Sequence, residues 1–289
     1  MDRYTFISDY RDDRELRTSF EELAKRTFGI DFEEWYQQGY WGEAYRPYSL
    51  MDGRKIISNV SVNKMPFTLC GQRKLFLQLG TVMTDTDYRG QGLNRKLLER
   101  VMEEYKNTCD GIYLFANDSV LDYYPKFGFQ KAVEYRYSKT VRNTGSREAV
   151  IWPLSRREDY DSVEKIIRRA VKSSLFEMNN IGLTMFYLTY FMKNSLYYIR
   201  SLNTYVIAEE EAGVLFLHQV ISEEEVELEE VIGAFGDGIK KVVLGFVPQA
   251  PGSFERDVLK EEDTTLFIFG DGWNEFKREG LRFPALSHA

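Results

Sequence analysis

The stretch that decides the fold is Gln78-Leu-Gly-Thr-Val-Met-Thr-Asp-Thr-Asp-Tyr-Arg-Gly-Gln-Gly-Leu-Asn94. Residues 79–84 are apolar and β-branched, which is typical of a buried strand. Residues 85–92 are rich in turn formers and include two glycines, which accept backbone angles that other residues avoid. From Leu93 onward, apolar residues recur at helical spacing. The stretch therefore predicts a strand, a loop and a helix in succession.

A corner of this kind favours a phosphate ligand. The loop points several backbone N–H groups at one place, beside the positive end of the helix dipole. Most strand–turn–helix corners nevertheless bind nothing, so the glycines alone decide little. The loop is not a Walker loop, because Gly90-Gln91-Gly92 lacks the Gly-Lys-Ser/Thr ending. A dinucleotide fingerprint would need a third glycine and an acidic residue about 20 positions further on.

A second informative stretch runs from Asn117 to Phe129, after the apolar strand signal of residues 112–116. Asn117 or Asp118 is a suitable helix cap. The apolar and aromatic residues that follow recur at helical spacing, and Gly128 suits a left-handed helix stop. We therefore expect a short helix between Asn117 and Gly128.

The first stretch resembles the acetyl-CoA loop of the GNAT N-acetyltransferases, whose pattern is Arg/Gln-x-x-Gly-x-Gly/Ala after a strand. Residues 89–94 match this pattern at Arg89 and Gly92 and depart from it at Asn94, where the family has a small residue. The second stretch resembles the family's later signature, Asn-x-x-Ala-x-x-x-Tyr-x-x-x-Gly-Phe. It departs at Val120, where alanine is usual, and it matches at Asn117, Tyr124, Gly128 and Phe129.

The resemblance covers about residues 1–140 and implies an α+β fold, the GNAT acyl-CoA N-acyltransferase fold, with a mixed sheet flanked by helices. It implies that acetyl-CoA is the cosubstrate, that its acetyl group passes directly to an amine, and that no metal takes part. The strand edge would meet the pantetheine arm, the loop N–H groups would hold the pyrophosphate, and an N–H near Met83 would polarise the thioester. The expected cofactor-binding residues are Val82, Met83, Thr84, Arg89, Gly90, Gln91, Gly92, Leu93, Asn94 and Asn117.

The resemblance makes Tyr124 the expected general acid, which protonates the departing CoA thiolate. A phenol is protonated at neutral pH, which is the state that this role requires; the alternative is a tyrosine packed in the core. The base stays open among Asp85, Glu43 and Gln78 acting through water. If the apolar end of the chain docks inside, the carboxylate of Ala289 is a further candidate, as a resemblance to tandem GNAT enzymes of the enhanced-intracellular-survival type implies; the alternative is an end segment that pins the second domain.

Composition excludes several other classes of protein. The 289 residues carry a net charge of −7 and no basic tract, which argues against nucleic acid and anionic membranes as partners. No window is long and apolar enough for a membrane span, and no secretory signal is visible, so we expect a cytoplasmic protein. The two cysteines lack metal-ligand spacing, and with two histidines a histidine-based metal site or Ser-His triad is not expected.

The first half of the chain reads as two helices, three strands, the glycine loop and a helix. Residues 9–28 and 31–38 have helical spacing, and residues 54–65, 67–70 and 75–84 are the strand signals. Between them lies an aromatic segment, residues 35–48, expected to be irregular. Its aromatic rings are interpreted either as the wall of an acceptor cleft that encloses a cationic amine or as the seal of a small helical cap.

The second half repeats this order, so we predict two domains, residues 1–142 and 148–289, the second being a degenerate GNAT-like copy. Residues 183–199 are expected to form one very apolar helix. At the corner that matches the glycine loop, the second half has Ile221-Ser-Glu-Glu-Glu225, and three carboxylates repel a pyrophosphate. We expect a non-catalytic partner that shapes the cleft or mediates a homodimer.

Two classes of function remain open from the sequence. The first is an amine N-acetyltransferase, and the second is a non-catalytic acyl-CoA-binding or regulatory protein on the same scaffold. The presence of Tyr124 together with the glycine loop favours the enzyme.

Overall fold

The computed structural model describes residues 3–288, in which two β-sheets are flanked by helices. This confirms the α+β class. None of the helices in this range is long and apolar enough to cross a membrane. In chain order they are α1 (Arg14–Phe28), α2 (Glu33–Gln37), α3 (Leu93–Tyr105), α4 (Arg157–Arg169), α5 (Ile181–Thr189), α6 (Leu228–Gly233) and α7 (Asn274–Glu279).

The strands are β1 (Thr5–Ser8), β2 (Tyr45–Asp52), β3 (Lys55–Leu69), β4 (Gln72–Thr84), β5 (Gly111–Ala116), β6 (Gln130–Lys131), β7 (Tyr135–Thr140), β8 (Val150–Ile151), β9 (Phe176–Met178), β10 (Leu196–Ile199), β11 (Thr204–Glu211), β12 (Val214–Ile221), β13 (Lys241–Leu244), β14 (Glu255–Val258) and β15 (Thr265–Phe269). The first sheet has the order β1-β2-β3-β4-β5-β15-β6, with β9 paired to β3, and the second has the order β14-β7-β13-β12-β11-β10-β8. Each sheet is mixed, because β4 with β5 and β12 with β13 are parallel pairs among antiparallel ones.

The two halves of the chain exchange strands. β7 comes from the first half but lies in the second sheet, between β13 and β14. β15 comes from the second half and lies in the first sheet, between β5 and β6. Each sheet is therefore completed by the other half of the chain. The division into two domains at residues 142–148 stays a prediction. The exchanged strands link the two halves physically.

The two faces of the first sheet are covered by α1 and α3. Asp13 caps α1 by accepting hydrogen bonds from the N–H groups of Glu15 and Leu16. The helical spacing seen in the sequence corresponds to the buried faces of both helices. In α1 the buried apolar residues are Leu16, Phe20, Leu23 and Ala24. In α3 they are Leu93, Leu97, Leu98, Val101, Met102 and Tyr105.

Aromatic rings from the C-terminal half pack on the first sheet. Trp273 stacks on Phe76 with ring centroids 4.3 Å apart. Phe283 stacks in the same way on Tyr113, at 4.0 Å. Trp273 also crosses β5 so closely that a side chain on Gly111 would lie 2.6 Å from its ring. The end of the chain is thus part of the core.

β4 and β5 diverge toward their C-terminal ends. They pair only from Phe76↔Gly111 to Gln78↔Tyr113, so residues 79–84 of β4 have no partner on β5. On its other side, β4 pairs with β3 through an irregularity near Thr81, whose φ is +48°. Such a bulge increases local twist and bends the strand, which helps to open the sheet at this point.

The structure corrects three local expectations. Residues 45–48, the end of the segment expected to be irregular, belong to β2, because pairing with β1 and β3 outweighs the lost N–H of Pro47. The single helix expected over residues 183–199 is α5 followed by β10, since α5 is buried all round and its sequence shows no face. Residues 117–128 form two 3-10 turns, because Pro125 cannot donate the bond that a continuous helix needs.

Candidate active site

A cavity of about 1140 Å³ opens where β4 and β5 diverge. Its wall includes the predicted acid and nine of the ten predicted cofactor-binding residues, namely Tyr124, Val82, Met83, Thr84, Arg89, Gly90, Gly92, Leu93, Asn94 and Asn117. The tenth, Gln91, is not part of the wall, and its side chain accepts a hydrogen bond from the Tyr4 hydroxyl at 2.9 Å. Residues that lie up to 42 positions apart in the sequence thus meet around one space.

The glycine loop presents free backbone N–H groups at the start of α3. Gly90 and Gly92 have φ values of +76° and +71°, in the left-handed region that glycine accepts at low cost. Within residues 3–288, no hydrogen bond is donated by the backbone N–H groups of residues 90–94. A Cβ at either glycine would have no atom within 4 Å. The space above the loop is open to a ligand that accepts hydrogen bonds.

The wall of the cavity is positive although the protein is acidic. Arg89, Arg95 and Lys126 line it, and no aspartate or glutamate is found among its described lining residues. Arg89 donates from Nε to the carbonyl oxygen of Thr84 at 3.3 Å, while Arg95 is paired with Glu99. Cations beside a helix N-terminus are the surroundings that a diphosphate prefers.

Tyr124 stands at the junction of the cavity and the core. Its side chain is 5% exposed and packs against Phe129 and Phe267. Burial, with a smaller effect of the neighbouring Tyr123, raises the pKa of the Tyr124 hydroxyl well above 10. The phenol is therefore protonated at neutral pH. Tyr123 lines the cavity as well, and its buried hydroxyl has no hydrogen-bond partner within residues 3–288.

Two polar residues of the wall are held by other side chains. Asn94 accepts a hydrogen bond from the Ser58 hydroxyl at 2.6 Å, so its side chain is turned toward β3. Asn117 donates from Nδ2 to the Asp263 carboxylate at 2.8 Å. Asp263 also accepts from the N–H of Asp118, at 2.6 Å. The segment between β14 and β15, which contains Asp263, therefore holds Asn117 in place at the edge of the cavity. The family resemblance places the cofactor arm at this edge.

Sequence reasoning missed several residues of the wall. Tyr45 lines the cavity and its hydroxyl is 2.6 Å from that of Thr81, at the bulge. Phe186 and Tyr187 reach the cavity from α5, and His288 reaches it from the end of the chain. Of the wall residues that were missed as site residues, the aromatic segment of the sequence indicated only Trp35 and Tyr45. The other three, Phe186, Tyr187 and His288, come from the second half of the chain, far from the first half's loop, and no local pattern marks them.

His288 is held by two contacts. The Tyr187 hydroxyl donates to the His288 carbonyl oxygen at 2.7 Å, and the imidazole stacks on Phe115 with ring centroids 3.6 Å apart. Burial, with Arg282 adding to it, lowers the pKa of His288 to about 3. His288 therefore lines the cavity in its neutral form.

The candidate bases from the sequence lie elsewhere. Asp85 is paired with Lys55 at 2.8 Å and with Arg26 at 3.2 Å, and the Lys55 contact chiefly lowers its pKa. Glu43 is paired with Arg11, and Gln78 is buried in β4. None of these three lines the cavity. Ala289 lies outside the residues that the structure describes.

Comparison with known proteins agrees with this geometry. Residues 14–132 match the family model described as an acetyltransferase (GNAT) domain. A search of the curated proteins found no match.

Three solved structures share the fold over most of the chain. A conserved protein of Enterococcus faecalis has a TM-score of 0.57 at 14% identity, over 94% of this chain and 74% of its own. A GCN5-related N-acetyltransferase from Kribbella flavida has a TM-score of 0.55 at 14% identity, over 91% and 71%. Eis1 from Mycobacterium abscessus has a TM-score of 0.52 at 13% identity, over 91% and 73%. At such identities the likeness concerns the fold alone. The chain is therefore similar to a GNAT acetyltransferase domain over residues 14–132 and shares the fold of these solved structures over most of its length.

Proposed function

We propose that the protein transfers an acetyl group from acetyl-CoA to a primary amine, with Tyr124 as the general acid. The observation that carries this proposal is the convergence of three features on one cavity. These features are the open glycine loop, the unpaired edge of β4 and the protonated phenol of Tyr124. A binding protein without turnover would need the first two features but not the third.

The glycine loop would hold the pyrophosphate of the cosubstrate. The N–H groups of Gly90, Gln91, Gly92, Leu93 and Asn94 are free to donate, and the helix dipole of α3 adds to their effect. Arg89, Arg95 and Lys126 would meet the remaining negative charge of CoA.

The edge of β4 would bind the pantetheine arm and polarise the thioester. Asp85 donates its N–H to Ile57 on β3 at 2.8 Å, and Met83 lies opposite Asn59 in the same register. Residues alternate along a strand, so the N–H groups of Val82 and Thr84 point away from β3 toward the gap. We assign the oxyanion-stabilising donor to one of these two groups.

The reaction then needs one proton donor and one proton acceptor. The amine nitrogen forms a bond to the thioester carbonyl carbon, and the carbon–sulfur bond breaks. Tyr124 gives its proton to the departing sulfur, and the nitrogen loses a proton to water. The raised pKa keeps the phenol protonated at neutral pH, so its proton is in place when the carbon–sulfur bond breaks, and the phenolate then regains a proton from solvent.

We further propose that residues 148–289 are a GNAT-like domain that binds no CoA. β12 and β13 also part, after Leu217↔Leu244, as β4 and β5 do. Here the gap is filled, because Ala285 donates its N–H to the Gly245 carbonyl oxygen at 2.7 Å. Acidic residues 223–225 precede α6 in place of a glycine loop. Titration with acetyl-CoA should give one site per chain, and two sites would contradict this assignment.

The test is a thiol-release assay with acetyl-CoA and a panel of primary amines. Tyr124→Phe removes the acid and should lower kcat by about 100-fold or more, with little change in the KM for acetyl-CoA. Tyr205→Phe is the matched control, since Tyr205 is equally buried, lies in β11 and does not line the cavity. Equal rates in Tyr124→Phe and wild type would reject Tyr124 as the acid. One acetyl-CoA site without turnover on any amine would favour the binding protein.

A further inference from the structure

The cavity has a second part on the α1 side of the first sheet, which we call the aromatic lobe. Six residues define it: Phe28, Trp35, Phe115, Phe186, Tyr187 and Phe191. Trp35, Phe186 and Tyr187 belong to the apolar cluster that contains Met83, whereas Leu93 and Tyr124 belong to the cluster on the α3 side. Because β4 and β5 diverge, one space connects the two sides. The glycine loop would take the donor, which leaves the aromatic lobe for the acceptor.

The rim of the aromatic lobe is apolar and exposed. Phe28 is 42% exposed and Phe191 is 53% exposed. Phe191 is not isolated, since its ring lies 5.7 Å from both Phe186 and Tyr187. Large apolar side chains that are exposed beside a cavity commonly mark a ligand-binding groove. Their exposed faces could cover a flat apolar ligand.

The polar groups of the aromatic lobe are few and mostly engaged. The Tyr45 hydroxyl is bonded to Thr81 and the Tyr187 hydroxyl to the His288 carbonyl oxygen. The buried Nε2 of His288 has no hydrogen-bond partner within residues 3–288. The charges that line the cavity are all positive in the described part of the chain. Among residues 3–288, a ligand with several ammonium groups would find no carboxylate in the cavity wall to offset their desolvation.

We propose that the acceptor is a monoamine on a flat, apolar, aromatic body, bound in the aromatic lobe against the rings of Phe186, Tyr187 and Phe191. This inference rests on the proposed function and names its substrate class. It is an alternative to the sequence-based interpretation of the aromatic segment as a wall that encloses a cationic amine. An apolar surrounding also favours the neutral free base of the amine, which is the form that attacks the thioester. A dedicated carboxylate base is then not required.

The experiment compares acceptors of different charge in the thiol-release assay. 2-Phenylethylamine and tryptamine carry one amine on an aromatic body, whereas spermidine and kanamycin carry several. We expect kcat/KM for 2-phenylethylamine to exceed that for spermidine by about 100-fold, since the extra ammonium groups lack partners. Equal or higher values for spermidine or kanamycin would overturn the inference and leave the proposed acetyl transfer intact. No turnover on any of the four amines would overturn both.

Three variants locate the acceptor. Phe191→Ala should raise the KM for 2-phenylethylamine about 10-fold through lost ring contact, with the KM for acetyl-CoA unchanged. Val258→Ala is the matched control, since Val258 is 48% exposed on β14 and outside the cavity. Phe28→Ala, on the same rim and 42% exposed, should likewise raise the KM for the amine while leaving that for acetyl-CoA unchanged. An unchanged KM for the amine in both Phe191→Ala and Phe28→Ala would refute the placement.

Discussion

Replacing Glu177 by glutamine should change how the stability of this protein depends on pH. Glu177 lies in β9, 8% exposed, where the strand joins the first sheet near the second. Burial raises the pKa of its carboxyl group to about 7, against smaller lowering effects from Lys172 and from the N–H groups of Ser173 and Ser174. Its Oε2 has no hydrogen-bond partner within residues 3–288.

The sign of the effect follows from the protons bound in each state. Between pH 4.5 and 7 the folded protein keeps a proton on Glu177 that the unfolded chain has lost, so the free energy of unfolding falls as pH rises. A tenfold change in an equilibrium constant is about 1.4 kcal/mol. Raising this pKa from 4.5 to about 7 therefore removes up to about 3 kcal/mol of stability across the window.

Glutamine has the size of a protonated glutamate and does not titrate. The difference in the free energy of unfolding, Glu177→Gln minus wild type, should therefore grow by about 2.5 kcal/mol from pH 5 to pH 8. The measurement is urea denaturation followed by tryptophan fluorescence at pH 5, 6, 7 and 8. Glu21 and Glu134, whose pKa values burial also raises to about 7, are present in both proteins and cancel.

The control is Glu22→Gln, on the exposed face of α1. Its difference from wild type should stay constant over the same pH range. If the Glu177→Gln difference is equally constant, the reasoning from burial is refuted.

Two further predictions concern glycines. Gly90→Ala should leave the fold intact, because its Cβ meets no atom within 4 Å. An alanine is strained at φ +76°, so the loop should shift and the KM for acetyl-CoA should rise about 10-fold. Gly53→Ala is the matched control, since Gly53 has φ +61° and equally open space but lies outside the cavity. It should lower the free energy of unfolding by a similar amount without changing the KM for acetyl-CoA. A rise of this KM in both variants would rule out a local role of the loop. Gly111→Ala places a methyl group 2.6 Å from the Trp273 ring and should lower the free energy of unfolding by about 2 kcal/mol in urea denaturation. Gly233→Ala, in α6 with nothing within 4 Å, should not destabilise, and an equal loss in both variants would argue against the clash.

Local patterns in the sequence determined the elements whose burial is one-sided. α3 is the clearest case, because its apolar residues recur at helical spacing and are the ones that it buries. The glycine loop followed from residue chemistry, since Gly90 and Gly92 adopt left-handed angles. Asn117, Tyr124 and Gly128 were singled out by the resemblance to the second GNAT signature, although the segment forms 3-10 turns instead of one helix.

Only the tertiary structure decided which strands pair and what encloses the aromatic lobe. β7 and β15 each join the sheet of the other half, because strand partners are selected by long-range packing that a strand's own sequence does not specify. α5 is buried on all sides, so no periodicity separated it from β10. Contacts between residues far apart in the chain determine the bulge at Thr81 and the positions of Phe186, Tyr187 and His288. The loop at residue 90, in contrast, depends on the backbone angles that its own glycines allow.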